Sequence, residues 1–200
     1  MDEGSSDRAG NPQAEPPDPA RELDACVVAA LAGDEVAAAE VFRAVQPALL
    51  FYLRSQLPTA AVEDAAAEVW LAVARGSAAS VRSSDQLRAL LFTIARRRAI
   101  DLRRARRRRP VSLGEEAAEP TGSDPADGSV DAWDADDAVR RLMQLLTPDQ
   151  AEVVLLRVVA GLSAGAVAEI TGRTAGSVRV IQHRAVRRLA AEVQSKVVTP

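Results

Sequence analysis

Residues Leu162–Leu189, LSAGAVAEITGRTAGSVRVIQHRAVRRL, read as two helices around a sharp turn, and this stretch decides the fold class. Ser163 can cap a short first helix carrying Val167, Ala168 and Ile170. Gly172 supplies the turn, where a residue without Cβ takes positive φ at no steric cost. The second helix begins at about Thr174 and puts Val178, Ile181, Ala185 and Leu189 on one stripe, which predicts burial. Val180, His183, Arg184 and Arg187 fall on the opposite side, with Arg179 at its edge. A basic helix after such a turn is suited to a DNA major groove, its first turns against base edges and its arginines near phosphates. Thr174 and Ser177 stand at the helix start, where backbone and hydroxyl groups can bond phosphate, and Gln182 projects toward the core. The alternative at this level is a plain helical hairpin. His183 is the only histidine and has no Cys or acidic neighbour at metal-ligand spacing, so a DNA contact is expected there and no metal site.

Upstream, Thr147-Pro148-Asp149-Gln150 is a helix start, with a threonine cap, proline at the first helical position and glutamine in the capping-box place. The apolar run Val153–Val159 follows, then Gly161. Further toward the N-terminus a helical region is expected from about Arg21 to Arg109, broken near Gly33-Asp34 and near Pro58, with Asp34 as an N-cap. A helix over Val62–Arg75 places Val62, Ala66, Val69, Trp70 and Val73 on one face. Asp64, Ala67, Glu68, Leu71 and Arg75 lie on the other. Gly76–Gln86 is small and polar and reads as a loop. A long helix then starts near Leu87, with Leu90, Leu91 and Ile94 toward a core, and turns arginine-rich. Pro110 ends it, because the residue before proline is pushed out of the α region. No strand pattern of any length is visible. The expected fold is all-α: two small helical domains joined by a flexible acidic linker, the C-terminal one a helix-turn-helix. The expected segments are a disordered tail at 1–20, a helical domain at 21–109, the linker at 110–137 and a second domain at 138–200. Fully extended at about 3.3 Å per residue, a linker of about 28 residues reaches roughly 90 Å. Trp133 is expected to anchor it locally.

The net charge of −3 hides a strong segregation. Arg96–Arg109 holds nine arginines against Asp101 alone, whereas Gly114–Asp137 holds nine acids and no base. Such blocks point to a nucleic-acid surface. Aromatic residues make up 3% of the chain against 48% hydrophobic, so its cores are built from Leu, Val, Ile and Ala. Cys26, the single cysteine, excludes an internal disulfide and reads as a buried thiol. No apolar run approaches a membrane span and the N-terminus is acidic, so a cytoplasmic protein without membrane insertion is expected. Phosphate-loop, nucleophile-elbow and zinc-protease motifs are all absent, so neither an enzyme nor a cofactor is expected.

Two helical domains with a terminal helix-turn-helix resemble bacterial RNA polymerase sigma factors of the extracytoplasmic-function (ECF) group. EDAAAEVWLAVAR (Glu63–Arg75) is similar to the family's polymerase-binding helix, with Ala67 where glutamine is usual. LRALLFTIARRRAIDLRRARR (Leu87–Arg107) is similar to the helix that meets the −10 element. There Arg97 replaces the usual asparagine and Leu90 the usual tryptophan. The stretch from Leu146 to Leu189 is similar to the −35-reading domain. The resemblance implies a factor that binds core RNA polymerase, through its beta and beta-prime subunits, and directs promoter-specific initiation. It implies core-polymerase contacts at Asp64, Glu68, Val69, Trp70 and Leu71. It implies −10 contacts at Ser80, Arg82, Ser83, Ser84, Asp85, Arg96, Arg97, Arg98, Arg103 and Arg104, with a flipped base held by the loop. It implies −35 contacts at Thr174, Ser177, Arg179, Val180, His183, Arg184 and Arg187. An anti-sigma factor that clamps both domains is the further partner implied. Aromatic stacking helps hold single strands, and only Phe92 is offered by the arginine-rich helix, so weak spontaneous melting is expected. The alternative reading is a helix-turn-helix regulator that never joins polymerase.

Overall fold

The computed structural model describes residues 19–108, 141 and 143–197. The expected tail before residue 19 and the acidic linker, with Arg109 and Trp133, lie outside the described residues. Among the described residues the α-helices with full bounds run in the order α1 (Pro19–Leu31), α2 (Glu35–Gln56), α3 (Val62–Ala72), α4 (Ser84–Arg108), α5 (Pro148–Val154), α6 (Ala164–Thr171) and α7 (Ala175–Val197). Among the described residues there is no strand.

Local chemistry sets most of the boundaries. Asp34 Oδ1 accepts the Ala37 N–H at 3.0 Å and opens α2. The buried residues of α2, Ala37, Val41, Val45, Leu49, Tyr52 and Leu53, form one stripe. By length and composition alone α2 passes for a membrane span, contrary to the expectation that no run comes close. Its stripe nevertheless packs on α1, α3 and α4, and a Glu40–Arg43 ion pair occupies the exposed side. α3 buries Val62, Ala65, Ala66 and Val69 and continues into a π-helical turn, Val73–Ser77. Gly76 ends that turn at φ 99°, a conformation that a Cβ would strain.

α4 begins three residues before the expected Leu87. Ser83 Oγ accepts the Gln86 N–H at 3.3 Å, and Asp24 of α1 accepts the Ser84 N–H at 2.6 Å. A carboxylate from a distant helix therefore satisfies an N-terminal donor of α4 and complements its dipole. The backbone hydrogen bond from Ser84, then the Ser84 hydroxyl, hold the Asp24 carboxyl below its ordinary range.

In the C-terminal half Thr147 and Gln150 form the expected reciprocal capping box. α5 runs on into a π-helical turn at Leu155–Val159. Ser163 caps α6, and Gly172 ends it in the left-handed region at φ 69°. The axis of the arrangement is an apolar core continuous across both halves. Tyr52 and Phe92 meet edge-on at its centre, with ring centroids 5.5 Å apart. Leu49, Leu53 and Leu91 of the N-terminal half belong to it, together with Leu155, Leu156, Leu162, Val167 and Val178 of the C-terminal half. Cys26, expected to be buried, is only half-buried against this core.

Candidate nucleic-acid interface

α7 presents the second helix of the helix-turn-helix on α5 and α6. Val178 and Ala185 are fully buried, with Ile181 and Leu189 packed beside them, so the stripe read from the sequence is the packed face. Arg179, Val180, His183, Arg184 and Arg187 are all exposed on the other side. Val180 is 50% exposed, an apolar side chain among cations. Thr174 Oγ1 accepts the Ser177 N–H at 3.1 Å, so this hydroxyl caps α7 and holds its first turn in place. Gln182 accepts from Arg157 Nε at 3.0 Å, and Arg157 also donates to the Leu162 carbonyl, which ties α7 to the turn before α6. Arg173 pairs with Asp149 at 2.7 Å and joins the helix-turn-helix to α5. These arginines hold the recognition helix rather than offering charge to DNA, and helical projection could not separate them from the free ones.

The second basic surface is the C-terminal half of α4. Arg97, Arg103 and Arg104 are exposed, and Arg103 also donates to Gln56 at 2.9 Å. Arg96 and Arg98 are partly buried and paired. Arg96 Nε donates to Glu152 Oε1 at 2.9 Å, and Arg98 NH2 donates to Glu68 Oε1 at 2.6 Å. Sequence spacing contained no sign of either pair, since the partners lie on other helices.

The loop ahead of α4 differs from the expected open capture site. Ser80 and Arg82 are exposed, but the Arg82 guanidinium folds back on the Ala79 and Val81 carbonyls at 2.9 and 2.7 Å. Asp85 is exposed on the first turn of α4 rather than in the loop, and Ser83 serves as the helix cap. Ser84 is a correction: it is buried beneath Asp24 and cannot touch a base in this conformation. Phe92 is another. With no exposed surface, it is a core residue and offers no stacking platform.

α3 carries the third surface. Asp64, Glu68 and Leu71 are exposed on one face, as their spacing requires. Val69, expected to meet a partner, is fully buried, so it positions the helix and touches nothing outside. Trp70 is half-buried, its Nε1 donating to Gln46 Oε1 at 2.7 Å. Phe42 of α2 lies 5.2 Å from the Trp70 ring and is 43% exposed, so it extends this surface. Sequence reasoning missed Phe42, although an aromatic residue beside the charged Glu40 and Arg43 was a signal. Among the described residues no group of His, Cys, Asp and Glu is placed to hold a metal ion.

Known proteins carry the same pattern. The Sigma-70 region 2 family model matches residues 41–109, and the Sigma-70 region 4 model matches residues 136–189. The chain is 36% identical over 187 residues to the ECF RNA polymerase sigma factor SigD of Mycobacterium tuberculosis, covering 86% of this chain and 84% of that one. It is 35% identical over 179 residues to the ECF RNA polymerase sigma factor ShbA of Streptomyces griseus, covering 84% and 94%. Among solved structures it is similar to the sigma factor RpoE of Bartonella quintana, determined in complex with the anti-sigma factor NepR. That match has 26% identity and a TM-score of 0.59, and covers 80% of this chain and 96% of the other.

Proposed function

This chain belongs to the RNA polymerase sigma factors of the extracytoplasmic-function group, and on that premise we propose how its surfaces divide the work. It binds core RNA polymerase and directs initiation to promoters, and the regulator reading loses its ground. The polymerase makes the phosphodiester bonds; the chain contributes binding free energy and strand capture, in the cytoplasm where polymerase and chromosome meet. A region 2-like unit at 21–109 and a region 4-like unit at 138–200 carry the parts.

The exposed Asp64, Glu68 and Leu71 face of α3, with Trp70 and Phe42 beside it, docks on the polymerase. A mixed acidic and apolar patch of this kind suits a basic helical partner. The α4 arginines neutralise the −10 strand, with Ser80 and Arg82 at the loop. Flipping a base costs a few kcal/mol, and with Phe92 buried that cost falls on polymerase contacts and promoter sequence. Arg179, Val180, His183, Arg184 and Arg187 read the −35 element from the major groove. A protein inhibitor of the anti-sigma kind is a further proposed partner.

The observation that carries this reading is the coexistence, in one chain, of an exposed recognition helix and an arginine helix beside an acidic-apolar face. Purified core polymerase with this chain is expected to yield discrete run-off transcripts on fragments of its own genome. Asp64→Arg is expected to abolish co-elution with core, and Arg184→Ala to abolish transcripts while co-elution persists. DNA binding without co-elution of the unaltered chain would refute the polymerase surface.

A further inference from the structure

Gln182 belongs to neither face of α7. At about 100° per residue it lies about 40° round the helix from Val178, at the edge of the buried stripe, with Arg179 and His183 beyond it on the exposed side. It is half-buried. Its Oε1 accepts from Arg157 Nε at 3.0 Å, and the same guanidinium donates through NH1 to the Leu162 carbonyl. The Leu162 N–H in turn donates to the Leu156 carbonyl at 3.0 Å, so the group that holds Arg157 is itself fixed to the π-helical turn. One planar guanidinium therefore joins that turn, the approach to α6 and the middle of α7. A charged donor in a rigid fork makes the contact directional.

We infer that Gln182 is a positioning residue for −35 recognition: through Arg157 it fixes the rotation of α7 about its own axis, and with it the aim of Arg179 and His183 at the base edges. The inference rests on the reading above that α7 enters the −35 major groove. Gln182 itself touches no base in this role. It acts on specificity and leaves the electrostatic part of DNA binding alone, because a slightly turned helix still presents its cations to the phosphates.

Apolar packing does not set this rotation by itself. Val178 and Ala185 are fully buried, but apolar attraction is non-directional and Ala185 offers only a methyl group. Turning a helix by about 20° moves its Cα atoms, at a radius of about 2.3 Å, by roughly 0.8 Å. The same turn carries the outer surface, about 5–6 Å from the axis, through roughly 2 Å. A binding constellation tolerates about 0.5 Å, so a rotation that the stripe absorbs takes base contacts out of register. The Arg173–Asp149 pair ties the start of α7 to α5, and a single tether leaves the helix free to turn about it. Gln182 supplies the second tether, two turns further on and to a different element.

The test uses the full chain and reads one quantity, the ratio of its affinities for a −35 duplex from a run-off-positive promoter and for a shuffled duplex of the same length. Gln182→Leu removes the acceptor at similar size and unchanged charge, and circular dichroism confirms that it folds. The ratio is expected to fall about tenfold, the loss of one well-aimed base contact, with affinity for the shuffled duplex unchanged. Gln182→Glu restores an acceptor for Arg157; its added charge weakens binding to both duplexes and should leave the ratio within about twofold of the parent's. Arg157→Met should lower the ratio as Gln182→Leu does, and the double variant should fall no further than either alone, because both remove the same bond. A parent-like ratio for Gln182→Leu overturns the inference and leaves the bond a merely structural one. A loss with Gln182→Glu equal to that with leucine, while Arg157→Met keeps the parent's ratio, also overturns it, since Gln182 then reads a base itself. An unaltered chain that binds both duplexes equally refutes the −35 reading, and the inference falls with it.

Discussion

Replacing Arg184 by alanine tests whether the exposed cations of α7 act as phosphate and base contacts. Arg179, Arg184 and Arg187 are exposed on one side of the helix, and none makes an ion pair among the described residues. Each phosphate neutralised contributes about 0.9 to the slope of log K against log salt. Three contacts therefore predict a slope of about −2.7, and a fourfold rise in salt should weaken binding about 40-fold. With Arg184→Ala the slope falls to about −1.8 and the same rise costs only about 12-fold. Fluorescence anisotropy on a labelled duplex carrying the −35 element of a run-off-positive promoter measures both slopes. Val180→Ala is the companion. Half-exposed and uncharged, Val180 is placed for an apolar contact such as a thymine methyl, so its loss should weaken preference between sequences and leave the slope alone. An Arg184→Ala slope equal to the parent's would refute the reasoning, since it would mean that this guanidinium displaces no counterion.

Other outcomes follow from the same structure. Leu71→Asp, at a side chain 48% exposed, should weaken co-elution with core polymerase at least tenfold and leave the thermal midpoint within about 2 °C, because surface substitutions usually cost under about 0.5 kcal/mol. Gly172→Ala should destabilise the chain by about 1–2 kcal/mol in urea unfolding, since its φ of 69° strains any Cβ while nothing lies within 4 Å to clash. Burial first, and then the Glu152 charge, push the Tyr52 phenol above its ordinary value of 10.0. Unfolded chains then ionise this phenol while folded ones keep it protonated, so its contribution is fully present below pH 10 and falls as pH rises further. Tyr52 is the only tyrosine, so near-ultraviolet absorbance reads its titration directly; ionisation at the ordinary value would contradict the buried placement.

How far the sequence reaches can be judged residue by residue. Asp34, Thr147, Ser163 and Gly172 each act within four residues of themselves, as caps or as a turn, and each was legible from composition and spacing. So were the buried stripe of α7 and the exposed face of α3, because a 3.6-residue period assigns sides without naming neighbours. Val69 and Phe92 show the limit. Periodicity marks Val69 as inward, yet resemblance to a partner-binding helix drew it outward, and packing decides for the core. The start of α4 was missed for a related reason. Ser83 caps it locally, but the acid that holds the Ser84 N–H, Asp24, is 60 residues away in the chain.

By itself, then, the sequence determined the all-α class, the helix-turn-helix, the segregated arginines and the family resemblance, all of which rest on local periodicity and charge. Only the tertiary structure decided which arginines are free and which are spoken for. Arg96 and Glu152 lie 56 residues apart, and Arg98 and Glu68 lie 30 apart. A charged side chain looks alike in sequence whether it faces water or a carboxylate. The partner that settles the matter is brought up by helix packing, which no local spacing encodes.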